Sequence, residues 1–205
     1  MWGLYILFFI TLGILSLWIP ELKAGGYEDT TLKELVQKSP LKLFILACIF
    51  APIVEEMMFR TLIKPNHNHL ILFMCSWPVF IGLRFFPKDI HWIAILAFTA
   101  VLLFVLFYIV KHLITETTTQ RLRAFLHRHA TLVLIIVSII FGLVHINNYV
   151  DDFVINLALL TLIVPRIISG FLMGWIKIKN EGLIWSMGLH FMNNAFVVGI
   201  ILLTK

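Results

Sequence analysis

Ala51-Pro52-Ile53-Val54-Glu55-Glu56-Met57-Met58-Phe59-Arg60 sets two adjacent carboxylates and a guanidinium inside an otherwise apolar run. The chain has eleven acidic residues, and this pair is the only one within its hydrophobic segments. Glu21, Glu28, Asp29, Glu34, Asp89, Glu116, Asp151, Asp152 and Glu181 fall in polar connections or at segment ends. Histidine is distributed in the same way: of eight, only His145 and His190 lie inside apolar runs. An ionisable side chain in hydrocarbon costs a few kcal/mol or more, so the few that a membrane protein keeps at depth mark function.

Composition says which solvent this chain folds in. Of its 205 residues 60% are hydrophobic and 13% charged, with a mean hydropathy of +0.98. Soluble domains hold roughly 45–50% apolar and about 25% charged residues, so the apolar surplus here exceeds what one soluble core can bury. The fold class is therefore all-α, a polytopic bundle of transmembrane helices. The net charge of +5 and pI near 9.4 fit lysines and arginines that anchor spans at headgroups. The aromatic-interleaved basic pattern of a single-strand binder is absent, and no nucleic-acid partner is expected. Cys48 and Cys75 sit in apolar runs, without metal-ligand spacing or a disulfide framework, and read as small core residues.

A span needs about 20 apolar residues to cross the hydrocarbon. Seven segments qualify, at 2–19, 41–63, 69–86, 91–114, 130–149, 153–176 and 183–203, in one domain over 1–205. The first has no basic residues before it and no small-residue cleavage site after it, and reads as a retained span. Residues 20–40 form a surface connection in which Thr31-Leu32-Lys33-Glu34 reads as a capping box. It opens a short amphipathic helix with Leu32, Leu35 and Val36 on one face. Residues 111–129 are the longest basic connection. Basic residues divide almost evenly between the two sides, so the positive-inside rule sets no orientation.

On a helix Glu56 and Arg60 are i and i+4 and share a face, while Glu55 points about 100° away. One carboxylate is thus expected on the arginine. The other, in low dielectric, is a base with a raised pKa; alternatively both acids neutralise Arg60 and pin two helices. His145 closes Phe141-Gly142-Leu143-Val144-His145. His190 and Asn194 stack at i, i+4 in His190-Phe191-Met192-Asn193-Asn194, a pattern that also serves interhelical hydrogen bonding. Together a carboxylate, two imidazoles and an amide on three spans supply a base for water and donors for an oxyanion. Glu, His and His are also a three-ligand zinc set, although HExxH is absent. The Glu span and the His145 span are antiparallel, which offsets Glu55 and His145 by roughly 10–15 Å in depth. They meet only if helices tilt or if the Glu helix continues past Arg60 towards Lys64.

Glu55-Glu56-x-x-x-Arg60, Phe141-x-x-x-His145 and His190-x-x-x-Asn194, in that order, resemble the motifs of the CAAX-processing and bacteriocin-processing (Abi) protease family, related to type II CAAX prenyl endopeptidases. Pro165 to Gly170, Gly174 and the Asn193-Asn194 pair agree. The resemblance implies a bacterial intramembrane endopeptidase in the cytoplasmic membrane, acting on a peptide or membrane-protein substrate. It implies Glu55 as general base with His145 assisting, His190 and Asn194 at the oxyanion, and Glu56 and Arg60 in support. It implies no obligatory cofactor, with zinc as the alternative. One departure is the connection between the first two motifs, which holds two additional apolar runs at 69–86 and 91–114; an even number keeps the motif helices in their relative direction. A proton-coupled carrier using Glu55, His145 and His190 as a relay is the competing class. Carriers favour inverted repeats, and none is visible. A family member serving as an immunity or scaffold protein is the third reading, against which every motif position is filled.

Overall fold

Proline and polar clusters cut this apolar chain into helices. The computed structural model of the protein describes residues 1–22, 27, 29–87, 90–150 and 156–204. Lys23, Glu28, Asp89, Asp151, Asp152 and the first three residues of the expected 153–176 span lie outside the described residues, as do the side chains of Thr31 and Arg84. The helices are α1 (Trp2–Leu15), α2 (Thr30–Lys38), α3 (Pro40–Phe44), α4 (Ala51–Phe59), α5 (His67–Gly82), α6 (Trp92–Leu113), α7 (Glu116–Arg128), α8 (Ala130–Leu143), α9 (Leu157–Asn180) and α10 (Leu183–Leu203). A π-helical segment, Ile45–Phe50, joins α3 to α4, and 3-10 turns occupy Pro20–Leu22, Leu83–Phe85 and Val144–Asn148. The described residues are overwhelmingly helical and contain no strand.

Four helices are long and apolar enough to cross a membrane: α6, α8 with its 3-10 extension to Asn148, α9 and α10. The protein is thus a multi-pass helical membrane protein, and three of the other expected segments are helical over different bounds. The 2–19 segment is helical only over Trp2–Leu15, because the chain turns ahead of Pro20. The 69–86 segment gives a 16-residue helix that ends in a 3-10 turn before Pro87. The 41–63 segment stops being helical at Phe59.

Two compact units divide the chain, Met1–Pro52 with Leu134–Lys205, and Ile53–Val133. In the first, α9 and α10 form a hairpin whose turn puts Glu181 in the left-handed region at φ 53°, ahead of Gly182. Helix α1 packs on α9. The amphipathic helix forms as expected, and its Leu32, Leu35 and Val36 pack with Leu43, Cys48 and Val198. Its cap differs from expectation. The N-cap is Asp29, whose carboxylate accepts from the Leu32 N–H at 2.8 Å, two residues earlier than Thr31. Acceptors on short side chains at N-cap positions satisfy the first free N–H groups. On the exposed face Lys38 donates to Glu34 at 2.7 Å, and that hydrogen bond holds the Glu34 carboxyl below its usual pKa.

The second unit is built on α5. Its N-terminus is a capping box in which the Asn66 side chain accepts from His69 N–H and the His69 ring accepts from Asn66 N–H. Helix α6 packs along it. Helix α7 is tied to it twice: His67 Nδ1 lies 3.0 Å from Thr119 Oγ1, and His127 Nε2 donates to the Pro65 carbonyl at 2.9 Å.

Close approach of α8 and α9 in the first unit depends on two glycines. A Cβ on Gly170 would stand 3.1 Å from the Phe141 ring and 3.3 Å from the Ser138 backbone, and a Cβ on Gly142 would collide with the Ile167 side chain. Without a hydrophobic drive between helices in lipid, small residues at crossings supply the packing. Gly170→Leu is therefore expected to lower the melting temperature in detergent, with a cost of about 1–3 kcal/mol for overpacking. Gly13→Leu, where nothing lies within 4 Å, is the control and should leave the melt unchanged.

Candidate active site

Glu56 and Arg60 are both fully buried, with Arg60 Nε 3.4 Å from Glu56 Oε2. This is the i, i+4 pair that the spacing implies. The Arg60 N–H still donates to the Glu56 carbonyl at 2.9 Å, although α4 ends one residue earlier. The guanidinium carbon lies 6.0 Å from the Phe59 ring centroid, and Phe59 stands edge to face with Trp77 at 5.7 Å. Thr61 closes the turn through its hydroxyl, which donates to the Met57 carbonyl at 2.6 Å. Glu55, one residue away and on another face, is only half-buried. The neighbouring carboxylates thus occupy different surroundings, one sealed in with a cation and one partly open. The Glu helix does not continue to Lys64: Arg60–Leu62 turn, and Lys64 adopts φ 45°.

Pro52 explains the π-helical segment and gives Asn194 a partner. In an α-helix the Ala47 carbonyl would accept from the Ala51 N–H, but that N–H donates to Leu46. The next N–H in π register would come from Pro52, which has none. Both backbone donors within reach of the Ala47 carbonyl are therefore lost. The Asn194 side chain supplies the replacement, Nδ2 donating to Ala47 O at 2.8 Å. In hydrocarbon an unsatisfied carbonyl has no water to turn to, so this side-chain bond substitutes for a missing helical one. Single-turn π segments recur at functional sites. Asn193 Nδ2 in turn donates to Asn194 Oδ1 at 3.3 Å, which holds the amide with Nδ2 towards Ala47.

His145 lies in the 3-10 turn at the end of α8, with Nδ1 2.6 Å from the Phe141 carbonyl. A carbonyl only accepts, so Nδ1 carries the proton and Nε2 is the basic nitrogen of the neutral ring. The ring of Phe141 stands edge to face with both histidines, at 4.8 Å from His145 and 5.8 Å from His190. His190 is buried at 4% exposure on α10. The first unit thus gathers His145 and His190 about one aromatic ring that the α8–α9 glycine packing fixes. It holds Asn194 one turn beyond His190 and bonded to the π segment. Arg166, the cation that the sequence places inside the α9 span, donates to the Tyr149 hydroxyl at 3.4 Å. Among the described residues no group of three or more His, Cys, Asp and Glu side chains is spaced to hold a metal ion.

Sequence reasoning missed Pro52, Ala47 and Phe141 as positioning groups. Part of the signal was present, since a proline inside an apolar helix leaves a carbonyl one turn upstream without its donor, but the π register that shifts this to Ala47 was not. Its partner on α10, 147 residues away in sequence, was beyond local inspection.

Buried ionisable residues in a multi-pass helical bundle define the class, a helical membrane protein that keeps charged and titratable side chains in its interior. The family model of the Rce1-like type II CAAX prenyl endopeptidases matches residues 37–196. The chain belongs to this family of membrane peptidases, and the matched region encloses Glu55, Glu56, Arg60, His145, His190 and Asn194. No curated protein and no solved structure matches the chain.

Two measurements test this geometry. Asn194→Leu should destabilise the protein by about 1–3 kcal/mol, the desolvation cost of an unsatisfied carbonyl. Pro52→Ala, which returns an N–H to the helix, should recover most of that loss in the double variant. Equal losses in the single and double variants would contradict the Pro52–Asn194 coupling. Glu56→Gln should cost about 3–5 kcal/mol in a denaturant or thermal titration by removing one partner of a buried ion pair. Glu56→Gln with Arg60→Met should cost less than Glu56→Gln alone.

Proposed function

We propose that this protein is an intramembrane endopeptidase of a bacterial cytoplasmic membrane that hydrolyses peptide bonds with water activated by Glu55. The observation that carries the reading is the family match over residues 37–196, which encloses all three motifs in order. The local environments of the motif residues support it. Glu56, sealed with Arg60, has its charge taken up in the ion pair, while half-buried Glu55 is the carboxylate that a water and a substrate can reach.

On this reading the Glu55 carboxylate takes a proton from water as the oxygen attacks the carbonyl carbon of the scissile bond. His145 assists as an acceptor through Nε2, the nitrogen left basic by the bond from Nδ1 to the Phe141 carbonyl. The His190 imidazole and the second Nδ2 hydrogen of Asn194 donate to the developing oxyanion, the first hydrogen being held by Ala47. Donors fixed before the reaction stabilise such charge without reorganisation. The C–N bond then breaks, and the proton held by Glu55 passes to the departing amine nitrogen. Glu56 and Arg60 fix the turn after α4. The scheme uses no metal. The substrate is a peptide or membrane-protein segment within the bilayer.

The test is cleavage of a peptide and membrane-protein library by purified protein in liposomes. Glu55→Gln should reduce cleavage by about 10²–10⁴-fold, the usual contribution of general acid–base groups, with an unchanged melting temperature. Equal cleavage by wild type and Glu55→Gln, or none by either, would sink the assignment and favour a carrier or scaffold. A strong chelator should leave activity intact; loss restored by zinc would replace the water-activation scheme with a metal-assisted one.

A further inference from the structure

Helix α7 is polar, yet it connects α6 to α8, two helices long enough to cross the bilayer. Such a helix lies at a membrane surface. One side is committed to the protein: Thr119 and Leu126 are buried, Thr119 is held by His67, and His127 by Pro65. Next to this buried strip Leu122 and then Phe125 turn outward, 50% and 58% exposed. Arg121 and Arg128 stand on the same arc, also exposed. Arg121, Phe125 and Arg128 follow at i, i+4 and i+7, so the ring is flanked along the helix by a cation on each turn. Only one acid, Glu116, lies on this helix. Lys111, at the end of α6, adds a cation at the same surface.

We infer that this face of α7 is a binding site for anionic phospholipid headgroups, with Leu122 and Phe125 entering the acyl boundary and Arg121 and Arg128 taking the phosphates. Three features fit that ligand. An apolar strip narrower than the helix, flanked by arginines, is the pattern of a helix lying in the interfacial plane. Long basic side chains keep their heads in the headgroup layer while their stems cover apolar surface. The hydrogen bonds from Thr119 to His67 and from His127 to the Pro65 carbonyl fix the helix roll, so the arginines are presented in a fixed direction. A soluble acidic ligand would use the guanidinium groups and leave the aromatic ring in water. The inference rests on the membrane placement of α6 and α8 and is independent of peptidase activity.

The experiment is native mass spectrometry of the full-length protein in detergent, titrated with phosphatidylglycerol against phosphatidylcholine of the same chains. The wild type should retain phosphatidylglycerol with a preference of roughly tenfold or more, since each basic residue near an anionic surface contributes about a fivefold factor. The preference should shrink with added salt. Arg121→Gln with Arg128→Gln should abolish it, and Phe125→Ser should weaken retention of both lipids. Inorganic phosphate at millimolar concentration should not displace the lipid. An unchanged melting temperature of the variants shows that the fold is kept. Equal retention of the two lipids by wild type, an undiminished preference in the double arginine variant, or displacement by phosphate alone would overturn the inference. A variant that fails to fold is replaced by labelling Phe125→Cys with an environment-sensitive dye. The dye's emission should shift to the blue when phosphatidylglycerol replaces phosphatidylcholine in the liposomes, and no shift refutes the site.

Discussion

Hydrocarbon supplies no hydrogen bonds, and that constraint governs the motif region. Pro52 removes one backbone N–H from a helix inside the apolar part of the chain, and the register slips to π over Ile45–Phe50. The freed Ala47 carbonyl then recruits Asn194 from α10. One missing proton thus decides where a motif asparagine points. Because Nδ2 is committed to Ala47 through one hydrogen, Asn194 arrives oriented, and His190 is carried one turn below it on the same helix. The π segment leads directly into α4, which carries the glutamate pair.

The same economy holds for the charges. A buried ion pair seldom adds net stability, since desolvation offsets the attraction, but removing one partner is costly. The Glu56–Arg60 pair is thus best understood as a device that fixes local structure and electrostatics. Two identical neighbours in sequence thus differ in burial, Glu56 fully enclosed and Glu55 half-buried. Phe141 plays the comparable part in the other unit. Its carbonyl sets the tautomer of His145, its ring touches both histidines, and Gly170 on α9 leaves room for it.

Much of this was legible in the sequence, and the failures are instructive. Composition gave the helical membrane class, and the spacing of Glu56 and Arg60 gave their pairing, because i, i+4 geometry is local. The amphipathic face of Leu32, Leu35 and Val36 was legible for the same reason, while its start was misplaced: Asp29 competes with Thr31 for the cap and sits where its carboxylate reaches the Leu32 N–H. Helix bounds differ from the apolar runs where proline and 3-10 turns shorten helices, as at Pro20 and Pro87. The extension of the Glu helix towards Lys64 fails because the chain turns at Arg60. The partnership of Asn194 with Ala47 could not be read locally, since it depends on which helix lies beside the carbonyl that Pro52 frees.

The central claim is that water activated by Glu55 attacks the peptide carbonyl directly. Single-turnover cleavage in ¹⁸O-labelled water tests it most directly. Direct attack puts one ¹⁸O into the new C-terminal carboxylate of the product in the first turnover and leaves the Glu55 carboxylate unlabelled. First-turnover product with only ¹⁶O, accompanied by label appearing in Glu55, would reveal a covalent acyl intermediate and contradict the account.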